Sequence, residues 1–371
     1  MKSMHRPKTF LAGFITAIIS GLLIFPVMPA IGQNDTVINS LTDQKDEKRY
    51  LHLFSSDDIL EITLSLDLSA FLRKKDKEQS FKGKVIFHPG ERNSIDKKVT
   101  ISYRGISRYD NCRFPPMLIA FKKPIYDDCD TCRIKKIKLV NQCQQGDIYE
   151  DYVIREYIVY KLYNVLTDTS FRVRLVKVSF TDSENKKKPF VQHGILIEPE
   201  ELLAERAGIA EIKSRSLSQR HMYPAIINRI AIFNYMISNW DWSVPGQHNI
   251  SVFSPAGYDN SGLGIPVPFD FDLCGVVNTT YAVPKPDVGV EGPRDRKFAG
   301  MCFTPERYRK DLLVFLEKKK EFYSLINSSP YLTKADKKDI TSFLDQFFSN
   351  LETQKRIERL IDMFLADCKK L

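Results

Sequence analysis

Four oxygen-bearing side chains between positions 241 and 272 could together perform metal-assisted chemistry. Asp241 lies in the run Asn-Trp-Asp-Trp, Asn249 follows a histidine, and Asp270 and Asp272 flank one phenylalanine. Carboxylate and amide oxygens are the hard ligands that suit Mg²⁺ or Mn²⁺. A carboxylate can also accept the proton of a reacting hydroxyl group. The residue types therefore predict that Asn249, Asp270 and Asp272 bind a metal and that Asp241 acts as a base.

A predicted hairpin would bring these side chains together. Two short β-rich runs, 250–253 and 265–269, are separated by a segment rich in Gly, Asn, Ser and Pro. Because the strands of a hairpin place their outer ends side by side, Asn249 should lie near Asp270. Two alternatives remain open: a capped turn with two solvated acids, and a calcium loop that lacks the EF-hand pattern. His248 is the one histidine with a plausible role in this site.

An acidic residue on a predicted helix needs a cationic partner. The helix over 148–166 has apolar stripes, and Glu156 lies in the middle of one of them. Burying a carboxylate is costly unless the carboxylate is paired. Lys136 or Lys138, on the preceding strand, is the expected partner, and the spacing does not decide between them. In the alternative, Glu156 reaches solvent or accepts a hydrogen bond from a tyrosine hydroxyl.

The order of these residues matches a phosphoryl-transfer template. A strand lysine, a helix glutamate, a loop aspartate, a loop asparagine and a metal-binding aspartate follow one another in protein kinases. This chain presents Lys138, Glu156, Asp241, Asn249 and Asp270 in that order. It lacks the glycine-rich phosphate loop and the His-Arg-Asp sequence of ordinary kinases. The pattern favours nucleotide-phosphate chemistry in an atypical form.

Over about residues 57–280 the chain resembles the atypical protein kinases related to spore coat protein H, the CotH family. The family's Arg-Gly-x-Ser segment, lysine strand, Arg-Glu helix, strand pair ending in Glu, and catalytic Asp, Asn and Asp-x-Asp have counterparts here. These counterparts are Arg104–Arg108, Lys135–Leu139, Ile154–Glu156, Phe171–Val178 with His193–Glu198, Asp241, Asn249 and Pro268–Asp272.

The remaining segments change from strands to helices along the chain. Short β-rich runs bounded by turn formers predict strands over 60–66, 83–87, 99–103, 117–121, 134–140, 172–180 and 193–197. Helical periodicity follows from about residue 200, and the charged amphipathic C-terminal segment predicts helices over 305–325 and 337–368.

The resemblance implies an α+β fold of the bilobal protein-kinase type. A strand-rich N-terminal lobe (51–199) with one key helix would precede a helix-rich C-terminal lobe (200–371) with an embedded hairpin. It also implies an ATP-dependent kinase that uses Mg²⁺ or Mn²⁺ and phosphorylates Ser or Thr of a surface or secreted protein.

The resemblance implies a role for each matching residue as well. Lys138 or Lys136 would bind nucleotide phosphates, and Glu156 would orient the lysine. Arg104 and Glu198 are further candidates for the cofactor site, and Asp241 would be the base. The metal would bind to Asn249, Asp270 and Asp272. Trp242 stands where relatives often carry arginine, which leaves open a nucleotide-binding pseudokinase or a cell-surface scaffold.

The N-terminus predicts export. A basic start, an apolar run over 10–25 and the small residues before position 33 form the three parts of a signal peptide over 1–32. A polar linker over 33–50 follows, and an uncleaved anchor is the alternative. We expect the mature protein in the periplasm, at the cell surface or secreted. We expect an exported or surface protein as its partner, with no nucleic acid and no integral membrane span.

Composition limits the remaining classes of protein. The 371 residues are 43% hydrophobic and 11% aromatic, which excludes intrinsic disorder. The formal net charge is +9, and loss of three leader cations would leave a mild +6. A polyanion-binding surface protein is the third functional alternative. The seven cysteines favour disulfides in an exported chain, with at least one left over, although Cys129 and Cys132 with two further thiolates could instead bind zinc.

Overall fold

Seven strands with alternating buried side chains form the first half of the protein. The structure is a computed structural model that describes residues 50–369 apart from 75, 91–92, 106, 213–215 and 256–261. The predicted signal peptide over 1–32 and residues 33–49 of the predicted linker lie outside the described residues. The strands are β1 (Leu60–Leu66), β2 (Ser80–Gly90), β3 (Asn93–Tyr103), β4 (Met117–Tyr126), β5 (Arg133–Asn141), β6 (Val173–Asp182) and β7 (Phe190–Ile197).

These strands close into a barrel in the order β1-β2-β3-β4-β5-β7-β6. The seam is the parallel pairing of β1 with β6, from Leu60 opposite Val176 to Leu66 opposite Asp182. The other pairs are antiparallel. Alternate residues of β1 and β6, such as Leu64 and Val178, are fully buried. Closure of the barrel therefore buries one face of every strand and leaves no free edge.

Eight helices and a small second sheet complete the described part of the chain. The helices are α1 (Leu68–Arg73), α2 (Ser107–Asn111), α3 (Asp147–Leu166), α4 (Glu200–Ala207), α5 (Pro224–Ile237), α6 (Pro305–Ser328), α7 (Lys334–Phe348) and α8 (Gln354–Asp367). The second sheet contains β8 (Ile209–Glu211), β9 (Ile250–Pro255) and β10 (Ile265–Pro268), in the order β10-β9-β8. None of the helices in this part of the chain is both long and apolar enough to cross a bilayer.

The predicted bilobal, protein-kinase-like fold is wrong. The strand-rich half is a closed seven-stranded barrel, and the described residues belong to one compact unit. Helix α3 and residues of β5, β6 and β7 share one hydrophobic core with α5, α6, α7 and α8. Arg155 of α3 also donates to Asp336 of α7 at 2.6 Å. A core that is continuous from the barrel wall into the helices explains why the two halves are not separate lobes.

The strands and the long helices were predicted, but the short helices α1, α2 and α4 were missed, and the last helical segment was predicted as one piece. The single helix expected over 337–368 is interrupted at Ser349–Leu351, and α8 restarts after Thr353. The hydroxyl of Thr353 accepts a hydrogen bond from the Arg356 amide, which caps the new helix.

Three disulfides hold loops and element ends together. They join Cys112 to Cys143, Cys129 to Cys132 and Cys302 to Cys368. The zinc alternative is therefore wrong, because both of its central thiols are bonded to each other. Cys274, the seventh cysteine and also among the described residues, is buried and unpaired. The prediction of one leftover cysteine is confirmed.

Candidate functional site

Asp241 is positioned by the end of helix α5. The helix ends at Ile237, and Ser238 takes a left-handed conformation with φ of 53°. The Asn239 side chain then donates to the Asn234 side-chain oxygen at 2.9 Å and accepts from the Asp241 backbone amide at 3.1 Å. Both asparagines are buried. The turn that carries Asp241 is therefore anchored to the hydrophobic core.

Two neighbours contact the Asp241 carboxylate. Its Oδ1 lies 2.8 Å from His248 Nε2, and its Oδ2 accepts from Asn249 Nδ2 at 2.9 Å. Paired backbone hydrogen bonds between Ser243 and His248 close the loop that returns to Asp241. The hydrogen bond that His248 makes to the Asp241 carboxylate raises the pKa of His248. Since a carboxylate oxygen has two lone pairs, each can still accept a further proton donor.

The hairpin places Asn249 beside Asp270, as the sequence predicted. Ile250 pairs with Pro268, and the Phe269 amide donates to the Asn249 carbonyl at 3.0 Å. Both Asn249 and Asp270 have positive φ, at 54° and 61°. Asn and Asp tolerate this region better than other non-glycine residues, and such strain concentrates at functional sites. The Asp270 amide also donates to the Tyr160 hydroxyl at 2.8 Å, which fixes the turn to α3.

Glu156 pairs with an arginine and not with a lysine. Arg108 of α2 donates to Glu156 Oε2 at 2.8 Å, to Asp272 Oδ2 at 2.7 Å and to Asp270 Oδ1 at 3.4 Å. The expected pairing with Lys136 or Lys138 is wrong, because the planar guanidinium already bridges the carboxylates that face α2. Burial alone would lower the pKa of Arg108, but the three carboxylates raise it well above its ordinary value.

Lys138 lies instead in a cavity of about 240 Å³ near the end of the barrel. Its Nζ donates to Oε1 of Glu200, the first residue of α4. Arg104 and Lys136 line the same cavity. Burial, and then the nearby charge of Arg104, lower the pKa of Lys138, while Glu200 opposes them. The acidic lining residues are Glu200, Glu201 and Glu211.

Phe269 connects the cationic cavity to the acidic loop. Lys138 Nζ lies 5.1 Å from the centre of the Phe269 ring, and Arg104 Cζ lies 5.7 Å from it. The next residue in the chain is Asp270, and the Phe269 amide bonds to Asn249. One aromatic ring therefore separates the two cations from the oxygens of the hairpin.

Glu198, a candidate for the cofactor site, does not line the cavity. Its carboxylate is fully buried and accepts hydrogen bonds from Arg172 and from Arg206, the nearest at 2.9 Å each. Two arginines neutralise Glu198 inside the protein, so its role is to hold the end of β7. The carboxylate that reaches the cavity is Glu200, two residues further along.

The candidate metal ligands fit only in part. Asp272 is buried against Arg108, so its carboxylate does not fit as a metal ligand. With Arg108 in place, no three His, Cys, Asp or Glu side chains among the described residues form a group able to hold a metal ion. Asn249 commits its amide nitrogen to Asp241, which leaves its carbonyl oxygen, and Asp270 keeps 27% of its side-chain surface exposed. Two such donors suit Mg²⁺ that arrives with a nucleotide, because Mg²⁺ is usually held by one or two protein oxygens plus phosphates.

Several residues of the site were missed or undervalued in the sequence. Arg108 belongs to the Arg-Gly-x-Ser segment, but nothing in that segment indicates that it binds three distant carboxylates. The available signal for Arg108 was the number of acidic residues predicted for one site. The three carboxylates of Glu156, Asp270 and Asp272 require a cation when they lie close together. Glu200 and Phe269 carry no spacing signal, since their positions depend on how the barrel meets the hairpin.

Comparison with known protein families and with curated proteins finds no match to this chain.

Proposed function

We propose that the protein is a phosphotransferase that binds ATP with Mg²⁺ or Mn²⁺ and transfers the γ-phosphoryl group to Ser or Thr of an exported protein. The observation that carries the proposal is the position of Phe269. Its ring contacts Lys138 and Arg104, and its backbone joins Asn249 to Asp270. Cations for a phosphate chain and oxygens for a phosphate-bound metal therefore lie on either side of one residue. The proposal rests on this site and not on the fold.

The residues divide the chemistry between them. Arg104 and Lys138 would bind the phosphate oxygens, and an anion there would relieve the repulsion between the two cations. Asn249 and Asp270 would hold the metal ion, which supplies charge neutralisation to the phosphates. The acceptor hydroxyl oxygen forms the new bond to the γ-phosphorus while the bond to the β-phosphate oxygen breaks and ADP leaves. Asp241, oriented by His248 and Asn249, takes the hydroxyl proton.

Three disulfides support the exported setting, because disulfides persist in oxidising compartments. The acceptor is then a protein of the same compartment, as the signal-like N-terminus also suggests.

The first test is metal-dependent nucleotide binding. We expect ATP with Mn²⁺ to raise the melting temperature of the protein, and AMP to do so less because it lacks the β- and γ-phosphates. Asp270→Ala should weaken the ATP effect, since it removes one of two metal donors. Asp362→Ala, on the exposed face of α8, is the matched control and should leave it unchanged. No stabilisation of the unmodified protein by ATP would contradict the proposal.

A nucleotide-binding protein without transfer is the second candidate. It is favoured by Arg108, which already bonds to Asp270 and Asp272. Stabilisation by ATP without release of ADP would support this candidate over phosphoryl transfer.

A further inference from the structure

We propose that Arg108 is a resident cation that replaces a metal ion among Glu156, Asp270 and Asp272. The protein alone then holds no divalent ion at these carboxylates, and any metal enters with the nucleotide at Asn249 and Asp270. The inference deepens the proposed function and rests on it only for this last step. The place of the guanidinium can be tested without nucleotide.

The contacts of Arg108 resemble those of a bound cation. Its guanidinium reaches carboxylates from α3 and from the loop after β10, at distances of 2.7 to 3.4 Å. The side chain of Arg108 is 9% exposed, that of Glu156 is 2% exposed, and that of Asp272 is 8% exposed. Without the guanidinium, the buried carboxylates of Glu156 and Asp272 would lie beside the partly exposed Asp270 with no cation between them. Such an arrangement is strongly unfavourable unless the carboxylates are protonated or another cation enters.

One carboxylate oxygen in this space has no hydrogen-bond partner. Glu156 Oε1 is buried and unpaired among the described residues, although Oε2 of the same group is bonded to Arg108. A buried carboxylate oxygen is costly to leave unpaired. Glu156 Oε1 is therefore available to an ion that replaces the guanidinium. The carboxylate oxygens that Arg108 now contacts would be available to the same ion.

Arg108 is held in place by its own segment. Its carbonyl accepts from the Cys112 amide at 2.9 Å, and Cys112 is bonded to Cys143. The Phe114 amide donates to the Cys143 carbonyl at 3.1 Å. These links fix α2 to the segment that leads into α3, the helix that carries Glu156. The guanidinium is thus a permanent part of the site, and it never loses its charge at physiological pH.

The test compares Mn²⁺ binding by the full-length protein and its variants in the absence of nucleotide, followed by the EPR signal of free Mn²⁺ and by thermal unfolding. We expect the unmodified protein to leave Mn²⁺ free and its melting temperature unchanged. Arg108→Gln should melt at a lower temperature, bind Mn²⁺ and recover part of the loss as Mn²⁺ is added. Arg108→Gln combined with Asp272→Asn should lose this binding. Arg309→Gln, which removes an arginine paired with Glu358 on the helical surface, should not gain it.

Each outcome decides the inference. Mn²⁺ binding by the unmodified protein that disappears in Asp272→Asn would overturn it, because Asp272 would then be a metal ligand. An Arg108→Gln protein that is folded but binds no Mn²⁺ would also overturn it. So would an Arg108→Gln protein that stays unfolded with and without Mn²⁺, since a metal ion could not then replace the guanidinium. Failure of ATP binding would contradict the proposed function and leave this comparison unaffected.

Discussion

At the scale of single residues, a contact within one hairpin was easier to predict than an ion pair between distant segments. Asn249 and Asp270 were expected together because a hairpin enforces their approach, and the structure places them side by side. The partners of Glu156 and Lys138 were not foreseen. Their ion pairs, Glu156 with Arg108 and Lys138 with Glu200, join segments far apart in sequence. Residue type predicts that a buried charge needs a partner, but only packing decides which partner it takes.

The pairing of Lys138 with Glu200 leads to a prediction on nucleotide affinity. Lys138→Met should weaken ATP binding about 10- to 100-fold, because a charged hydrogen bond to phosphate is worth roughly 1.5–3 kcal/mol. Glu200→Gln should strengthen binding, since it removes the acid that competes with phosphate for the lysine. Isothermal titration calorimetry measures both.

Lys84→Met is the matched control for Lys138→Met. Lys84 pairs with Asp96 on the exposed surface of the barrel, so its loss should leave ATP affinity unchanged. Equal effects of Lys84→Met and Lys138→Met, or weaker ATP binding by Glu200→Gln, would show that the cavity is not the phosphate site.

At the scale of elements, alternation and helical periodicity predicted the strands and the long helices. Helices α1, α2 and α4 were missed because five to eight residues are too few to show a period. This mattered for the site, since α2 carries Arg108 and α4 begins with Glu200. The break before α8 was also missed, because the apolar face continues across it and only the cap at Thr353 marks the restart.

The segment that leads into the barrel depends on a buried aspartate. Asp127 accepts from the Leu53 amide at 2.5 Å, and Arg172 lies 3.5 Å from its other oxygen. Burial, and then the neighbouring Asp128, raise the pKa of Asp127 to about 6. A raised carboxyl pKa means that the folded state binds the proton more tightly than the unfolded state. The contribution of Asp127 to stability is therefore present at low pH. It is lost as the pH rises from the ordinary aspartate pKa of 3.8 through about 6.

We predict that Asp127→Asn flattens this dependence. The free energy of unfolding of the variant should fall less than that of the parent between about pH 4 and pH 7, by on the order of 1–3 kcal/mol. Urea unfolding across that range measures the difference. Asp96→Asn is the control. Because Lys84 lowers the pKa of the exposed Asp96, this substitution should change the pH dependence of stability in the opposite direction. Parallel curves for Asp127→Asn and the parent would contradict the assignment.

At the scale of the whole molecule, the sequence could not predict how the strands assemble. Each strand of the barrel was expected, but nothing local indicates that β1 pairs with β6 in parallel and closes the sheet. The change from strands to helices suggested two lobes. The apolar faces of α3 and of β5 to β7 instead join the helices in one core. Hydrophobic pattern predicts that a face is buried without specifying what buries it.

The shared core also explains why the site forms where it does. Lys138 comes from the barrel wall, Arg108 from helix α2 between β3 and β4, and Asp241 and Asp270 from the helical half. Because the barrel and the helices are packed into one unit, these groups meet at fixed distances. A site assembled from both halves is suited to chemistry that requires a phosphate and an acceptor to be held together.

The central claim is that this site transfers a phosphoryl group, and the most direct test is a single-turnover reaction. The protein would be mixed with γ-labelled ATP, Mn²⁺ and a degenerate Ser/Thr peptide library, with peptide labelling and ADP followed together. We predict transfer by the unmodified protein, and transfer slowed about 100-fold or more by Asp241→Asn while ATP still binds. Bound ATP with no transfer by the unmodified protein, or equal transfer by Asp241→Asn, would contradict the account.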